Sequence, residues 1–374
     1  MYTYPTADDY GYYTVTDDTG YVYKTYSKID AIEYAKPIRK HPEWHFNQDI
    51  YSKLDWTQEP EQDLLEMYKD RARQLRSAYD YLILLYSSGW DSSAMAQSFF
   101  DAGVMPDELF SFYNSGDAES DLHVETSVYT FPKLDSINKL YPQVKTRRVN
   151  TKEFFDHGYK QYFNPTTSLD YLYGYNTYLA PNKIFQDHMV DHVPEWKQMI
   201  AQGKRVGIVY GIDKPLVRYS NGRWIAYFQD TAQSEIGAFY QRHGGYGEHK
   251  EYFFWSQNAP FIAIKQAHVV KNTYAKSKTV LNHPDSKGFG YKISRHDVVD
   301  YIYPHVRDQH FYTIKPAVHS MGNRDWRFLN EEGDLQRRYW MIANHMERTL
   351  DPKWKIKGSF MKNGLTGQIN DYML

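Results

Sequence analysis

Four serines, a glycine and an aspartate crowd into the seven residues Ser87-Ser88-Gly89-Trp90-Asp91-Ser92-Ser93. Small residues let a backbone turn tightly and gather several N–H groups at one point, and serine hydroxyls add donors. That is the chemistry of an anion cradle, above all for phosphate. Asp91 stands apart, because a carboxylate repels a phosphate. It fits the pattern if it caps a helix, or if a divalent cation bridges it to the phosphate. The elements on either side suit the cradle. Tyr81 to Tyr86 is a short apolar run of the length of a buried strand. Ala94 to Ala102 reads as a helix with Met95, Phe99 and Ala102 on its apolar side. The positive end of that helix then faces the anion. A serine-rich turn with Asp91 as a plain cap is the alternative. No Gly-Lys-Ser/Thr ending occurs here, which argues against a P-loop kinase or GTPase.

The segment resembles the pyrophosphate loop, SGGxDS, of the N-type ATP pyrophosphatase superfamily. Ser87, Gly89, Asp91 and Ser92 match, and Ser88 stands where the family has glycine. The departure matters because only glycine reaches positive φ without steric cost. The resemblance implies a Rossmann-like (HUP-type) α/β domain that uses ATP and Mg2+ and cleaves ATP to AMP and pyrophosphate. It implies that Ser87, Ser88, Gly89, Trp90, Asp91, Ser92 and Ser93 bind the nucleotide, with Asp91 meeting Mg2+ through the phosphates. Three pieces, LLEMYKDRARQLRSAYDYLILLYSSGWDSS, GIDKP and IKQAHVVK, are also similar to large-phage proteins that contain this loop. That likeness implies a fold and a cofactor but no substrate.

Strands must bring other residues to the loop. Glu61 to Tyr79 has helical periodicity and begins after Pro60. Glu108 to Tyr113, Val144 to Val149 and Arg205 to Tyr210 read as strands, and Ser120 to Leu140 and Thr151 to Tyr162 as helices. Alternating strands and helices predict a parallel sheet with helices on both faces. Ligands of such sheets gather at the carboxyl ends of the strands. The second strand ends in Asn114-Ser115-Gly116-Asp117, similar to the DTG…ET region of sulfonucleotide reductases, with Asn114 in the Asp position. That likeness implies that Asn114 and Gly116 approach the adenosine; an ordinary polar turn is the alternative. The fourth strand ends in Gly211-Ile212-Asp213-Lys214-Pro215, followed by Arg218. Gly211 and Asp213 suit the nucleotide, and Lys214 or Arg218 suits charge on departing pyrophosphate. A solvated Asp–Lys pair is the alternative.

Lys265, His268 and Lys271 fall at i, i+3 and i+6 and would line one helix face, either for an anionic substrate or simply towards solvent. His188 and His192 have i, i+4 spacing, but without a HExxH glutamate or any cysteine a zinc site is not expected.

The 374 residues can hold one large or two medium domains. Residues 1–60 form a β-hairpin around Asp17-Asp18-Thr19-Gly20, a short helix over Lys28 to Lys36 and an irregular stretch. Residues 61–214 form the ATP-binding α/β domain. Residues 215–374 read as a mostly helical substrate or lid region. It includes a strand at Arg223 to Phe228, a flexible loop at His243 to His249 and a helix at Asp334 to His345. A net charge of −2 argues against binding nucleic acid through bulk charge alone and leaves a local basic patch open. No apolar run is of membrane-spanning length and Met1 to Asp9 lacks signal-peptide character. A cytoplasmic protein is expected, in the host cytoplasm if the chain is phage-encoded. The chain has no cysteine. It therefore cannot carry sulfur as a persulfide, nor hydrolyse glutamine with an N-terminal cysteine, as relatives in the superfamily do.

The expected activity is adenylation of a carboxylate, amide or nucleobase carbonyl, followed by attack of a nitrogen nucleophile. The acceptor would be a small molecule, a nucleotide or a nucleic-acid base. A partner protein could supply ammonia or sulfur. The alternatives are a sulfonucleotide-reductase-like nucleotide binder without its own cysteine, or a structural protein on the same fold.

Overall fold

The computed structural model describes residues 2–113, 125–156, 158–162, 180–212, 214, 216–229, 234–287, 290–294, 297–306 and 369–374. Its strands are β1 (Tyr12–Thr16), β2 (Val22–Thr25), β3 (Glu43–His45), β4 (Tyr81–Leu85), β5 (Glu108–Tyr113), β6 (Lys145–Asn150), β7 (Val206–Tyr210), β8 (Leu216–Ser220), β9 (Arg223–Gln229), β10 (His249–Tyr252), β11 (Tyr291–Lys292) and β12 (Ile369–Met373).

The central sheet has the order β10-β7-β4-β5-β6 with every pairing parallel. All five residues of β7 are buried. Successive strand side chains point to opposite faces, so both faces of the sheet are covered at its middle. At the edge, β6 has only exposed and half-buried residues. The fold is thus the α/β, Rossmann-like class that the sequence predicts. The chain moves outward from β4 through β5 to β6, then returns to the other side of β4 through β7 and β10. The order reverses between β4 and β7, which is the switch point where ligands of such sheets bind.

The helix before β4 runs over Leu64–Ala78. The Asp63 carboxylate accepts the Leu65 N–H at 2.8 Å, capping its start. Its buried side, Leu64, Met67, Tyr68, Ala72, Leu75 and Ala78, has helical spacing. Another helix, Trp90–Asp101, follows the serine-rich turn and is buried from Ser92 through Phe100. Beyond β5, a π-helical turn, Glu125–Thr130, leads into the helix Phe131–Leu140.

The N-terminal hairpin forms as predicted and gains β3 as a third, antiparallel strand. The region after residue 214 supplies helices, including Phe261–Tyr274, and also strands. β8, β9, β11 and β12 make a separate antiparallel sheet, while β10 completes the central one. The expected loop at His243 to His249 thus ends in a strand. β10 reads HKEY, with no apolar alternation to announce it. Its charges are tolerated because Lys250 pairs with Asp187 and Glu251 with Arg71, all four side chains at most 2% exposed. The predicted helix at Asp334 to His345 lies outside the described residues. Among the described residues, no helix is long and apolar enough to cross a membrane.

Candidate active site

β4 ends at Leu85, and the chain turns through Tyr86, Ser87, Ser88 and Gly89 into the helix that begins at Trp90. Strand pairing holds the entry. The Tyr86 N–H donates to the Phe110 carbonyl at 2.9 Å, and the Ser111 hydroxyl donates to the Tyr86 carbonyl. The turn is also closed on itself. The Ser87 N–H donates to Ser92 Oγ at 3.2 Å, and the two hydroxyl oxygens lie 3.1 Å apart. The Ser93 N–H reaches the Gly89 carbonyl at 2.9 Å, so the helix is fully wound by its fourth residue. The N–H groups of its first turn face out from the helix end.

Ser88 adopts φ of +55° and is fully buried. The position therefore does require a left-handed turn, which a glycine would supply freely. For serine that conformation costs roughly 1–2 kcal/mol. Thr130, at the end of the π-helical turn, offsets the strain. Its hydroxyl donates to the Ser87 carbonyl at 2.9 Å and lies 3.2 Å from the Ser88 hydroxyl.

The end of β7 meets this turn from the side. A Cβ placed on Gly211 would lie 2.8 Å from the Asp91 carbonyl oxygen and 3.0 Å from the Ser92 nitrogen. Only a residue without a side chain lets the backbone come so close. Three residues later, the Lys214 ammonium forms an ion pair with Asp91 Oδ1. The Lys214 side chain is 9% exposed and that of Asp91 32% exposed. A second donor arrives from far along the chain: the Tyr303 hydroxyl donates to Asp91 Oδ1 at 2.8 Å. Asp91 thus lies at the start of a helix, at the switch point, between a cation and a neutral donor.

The other sequence-predicted residues divide. Arg218 lies on β8 in the antiparallel sheet, where it pairs with Asp371 and lies over the Tyr227 ring. Lys214, rather than Arg218, is the cation that the fold brings to Asp91. Lys265, His268 and Lys271 do share the helix Phe261–Tyr274. Two of them, however, hold the N-terminal region. The Lys265 ammonium pairs with Glu59 at 2.7 Å and donates to the Pro60 carbonyl at 2.9 Å. His268 is buried with Nε2 2.8 Å from the Trp56 carbonyl, and burial lowers its pKa. Asn114, Gly116 and Asp213 lie outside the described residues. His188 contacts the Tyr246 hydroxyl through Nδ1 at 2.7 Å. Among the described residues, no group of three or more His, Cys, Asp or Glu side chains is arranged to hold a metal.

Thr130 and Tyr303 carried no signal in the sequence. Nothing in the spacing distinguishes Thr130, and Tyr303 is one of 36 tyrosines.

No protein-family model matches this sequence, and no match was found among curated proteins. Among solved structures, the chain is similar to an NAD+ synthetase from Burkholderia pseudomallei. Identity is 13% and the TM-score 0.28, over 72% of this chain and 89% of that one. It is also similar to an NMN synthetase from Francisella tularensis, at 8% identity and a TM-score of 0.26. That match covers 69% of this chain and the whole of the other. Neither likeness is close enough to bear on chemistry, which rests here on the chain's own residues.

Proposed function

We propose that this chain binds ATP at the Ser87 to Ser93 turn and cleaves it between the α and β phosphates. The observation that carries the reading is the meeting of the turn with Lys214 at the switch point, through Asp91. The turn's N–H groups and the hydroxyls of Ser87 and Ser92 would hold the leaving pyrophosphate, whereas Ser93 is fully buried. Lys214 would neutralise charge on it as the bond breaks. Such fixed donors and cations stabilise charge where it develops, and positioning supplies much of the remaining rate.

Asp91 suits Mg2+. Its carboxylate is partly exposed and is the acidic group at the turn. With no multi-carboxylate cluster among the described residues, the cation would be shared with phosphate oxygens, the usual arrangement for Mg2+. When bound, it supplies neutralisation of polyphosphate charge.

In the reaction, an acceptor oxygen attacks the α-phosphorus, and the bond to the bridging oxygen breaks. Pyrophosphate leaves with the electron pair. The adenylated carbon of a carboxylate, amide or nucleobase is then open to an amine or ammonia, and AMP departs. A chain with no cysteine needs a partner for any sulfur chemistry.

The test is product analysis by chromatography on purified protein with MgATP and panels of amino acids, nucleotides, tRNA and DNA. AMP and pyrophosphate are expected with the right acceptor. ADP and phosphate as main products would contradict the reading. ATP binding without turnover on any acceptor would favour a nucleotide-binding protein on this fold.

A further inference from the structure

Among the described residues, the Asp91 carboxylate has two partners of different kinds. Lys214 is charged, sits on a long flexible stem and can serve a phosphate as readily as a carboxylate. Tyr303 is neutral and is built into the core. It is fully buried and follows directly on the short helix Val299–Ile302. Its N–H donates to the Val299 carbonyl at 2.9 Å. Its ring lies 5.1 Å from that of Phe254 and 6.3 Å from that of Tyr68, centroid to centroid. The residue before it is pinned as well: the Tyr68 hydroxyl donates to the Ile302 carbonyl at 2.7 Å and itself accepts from Gln266 at 2.7 Å. Two residues after it, His305 Nε2 lies 3.3 Å from the Ala94 carbonyl, on the helix that the turn starts. The hydroxyl is therefore held over Asp91 by a fixed frame.

We propose that Tyr303 is the positioning residue for Asp91, fixing one carboxylate oxygen while Lys214 is released to the phosphates. This inference rests on the reading of the turn as an ATP site. The logic is electrostatic. A second cation in this place would cancel the charge that Asp91 must offer to Mg2+. An apolar neighbour would leave the carboxylate free to rotate once Lys214 turned away. A neutral donor avoids both. It orients the oxygen and leaves the negative charge in place, and a hydrogen bond to a charged group is stronger than one between neutral groups.

The experiment uses the full chain with Tyr303→Phe, which keeps the ring and removes only the hydroxyl. The first measurement needs no ligand. A double-mutant cycle of Tyr303→Phe and Asp91→Ala, followed by urea unfolding, should show coupling of about fivefold or more in the folding equilibrium. Additive effects would mean that the hydroxyl does not hold Asp91, and the proposal falls. The second measurement is calorimetric titration of ATP across a series of Mg2+ concentrations. The variant should need about five- to tenfold more Mg2+ for half-maximal tightening of ATP binding, with metal-free affinity unchanged to within about twofold. Equal loss of metal-free and metal-dependent binding, or no change in either, would overturn the proposal. Should the unaltered chain bind no ATP, the functional reading fails, and the ligand-free cycle still decides whether Tyr303 orders Asp91.

Discussion

Two cation–carboxylate pairs in this molecule are set in opposite ways. At β10, Arg71 and Glu251 are 0% and 1% exposed. Every neighbour closes the pair in. Tyr2 and Tyr79 donate to Glu251, while Arg71 also donates to the Tyr252 carbonyl at 2.9 Å and to Gln74 at 2.7 Å. Beside β4 and β7, Lys214 and Asp91 are 9% and 32% exposed, and Asp91 opens to solvent. A sealed pair cannot exchange partners without leaving a bare charge in the core, at a cost of several kcal/mol. A pair that is open on the carboxylate side can trade its partners for a phosphate and a cation. The first setting suits structure, and the second suits a site that must change state with each ligand.

Breaking the sealed pair should have the largest effect. Arg71→Met leaves Glu251 buried without its cation and should lower unfolding stability by about 3–5 kcal/mol in urea. Much of that should return in the double variant Arg71→Met with Glu251→Gln. A loss below about 1 kcal/mol, the range of a surface pair, would erase the contrast.

The closed region should also respond to acid. His188 is buried close to the Asp187–Lys250 pair, and burial lowers its pKa to about 4. An unfolded histidine titrates near 6.5, so between these values the unfolded chain binds a proton that the folded one refuses. Stability should therefore fall as pH drops from about 6.5 to 4, by up to about 3 kcal/mol from this group. His188→Asn should flatten that part of a stability-against-pH curve, and an unchanged slope would count against the burial effect.

At the open pair, chemistry rather than stability should suffer. Lys214→Met should cut pyrophosphate release by about 100-fold or more, as loss of a preorganised charge-stabilising group does. Unfolding stability should move by less than about 1 kcal/mol. Equal damage to both would mean that this pair is structural too.

The smallest effect expected is at the turn. Ser88→Gly relieves a left-handed serine but gives up its contact with Thr130 and adds backbone freedom to the unfolded chain. Thermal unfolding should shift by an amount equivalent to less than about 1 kcal/mol in either direction. A larger loss would make the Ser88–Thr130 contact a main support of the loop.

The open pair was half legible in the sequence. The strand, the turn and the helix start are contiguous, so their pattern can be read directly along the chain, and the strand-end rule pointed to Lys214. Proximity in sequence groups Arg218 with Lys214. An extended strand rises about 3.3 Å per residue, so β8 carries Arg218 away towards Asp371. Tyr303 and Thr130 could not be found, because they act from 212 and 42 residues away through ordinary side chains. The sealed pairs hid in another way. Lys250 and Glu251 look like surface residues, and only the partners Asp187 and Arg71 make their burial possible. Lys265, His268 and Lys271 fall on one helix, as their spacing predicts. What covers Lys265 and His268, the stretch from Trp56 to Pro60, is set by tertiary packing that periodicity does not encode.

The most direct test is calorimetric titration of MgATP into the purified full chain and into its Asp91→Ala variant. The account predicts saturable binding by the unaltered protein and an affinity at least about tenfold weaker in the variant, with most of the difference vanishing when Mg2+ is chelated. Unchanged affinity in the variant, or no binding by either protein, would contradict the assignment of this turn as the nucleotide site.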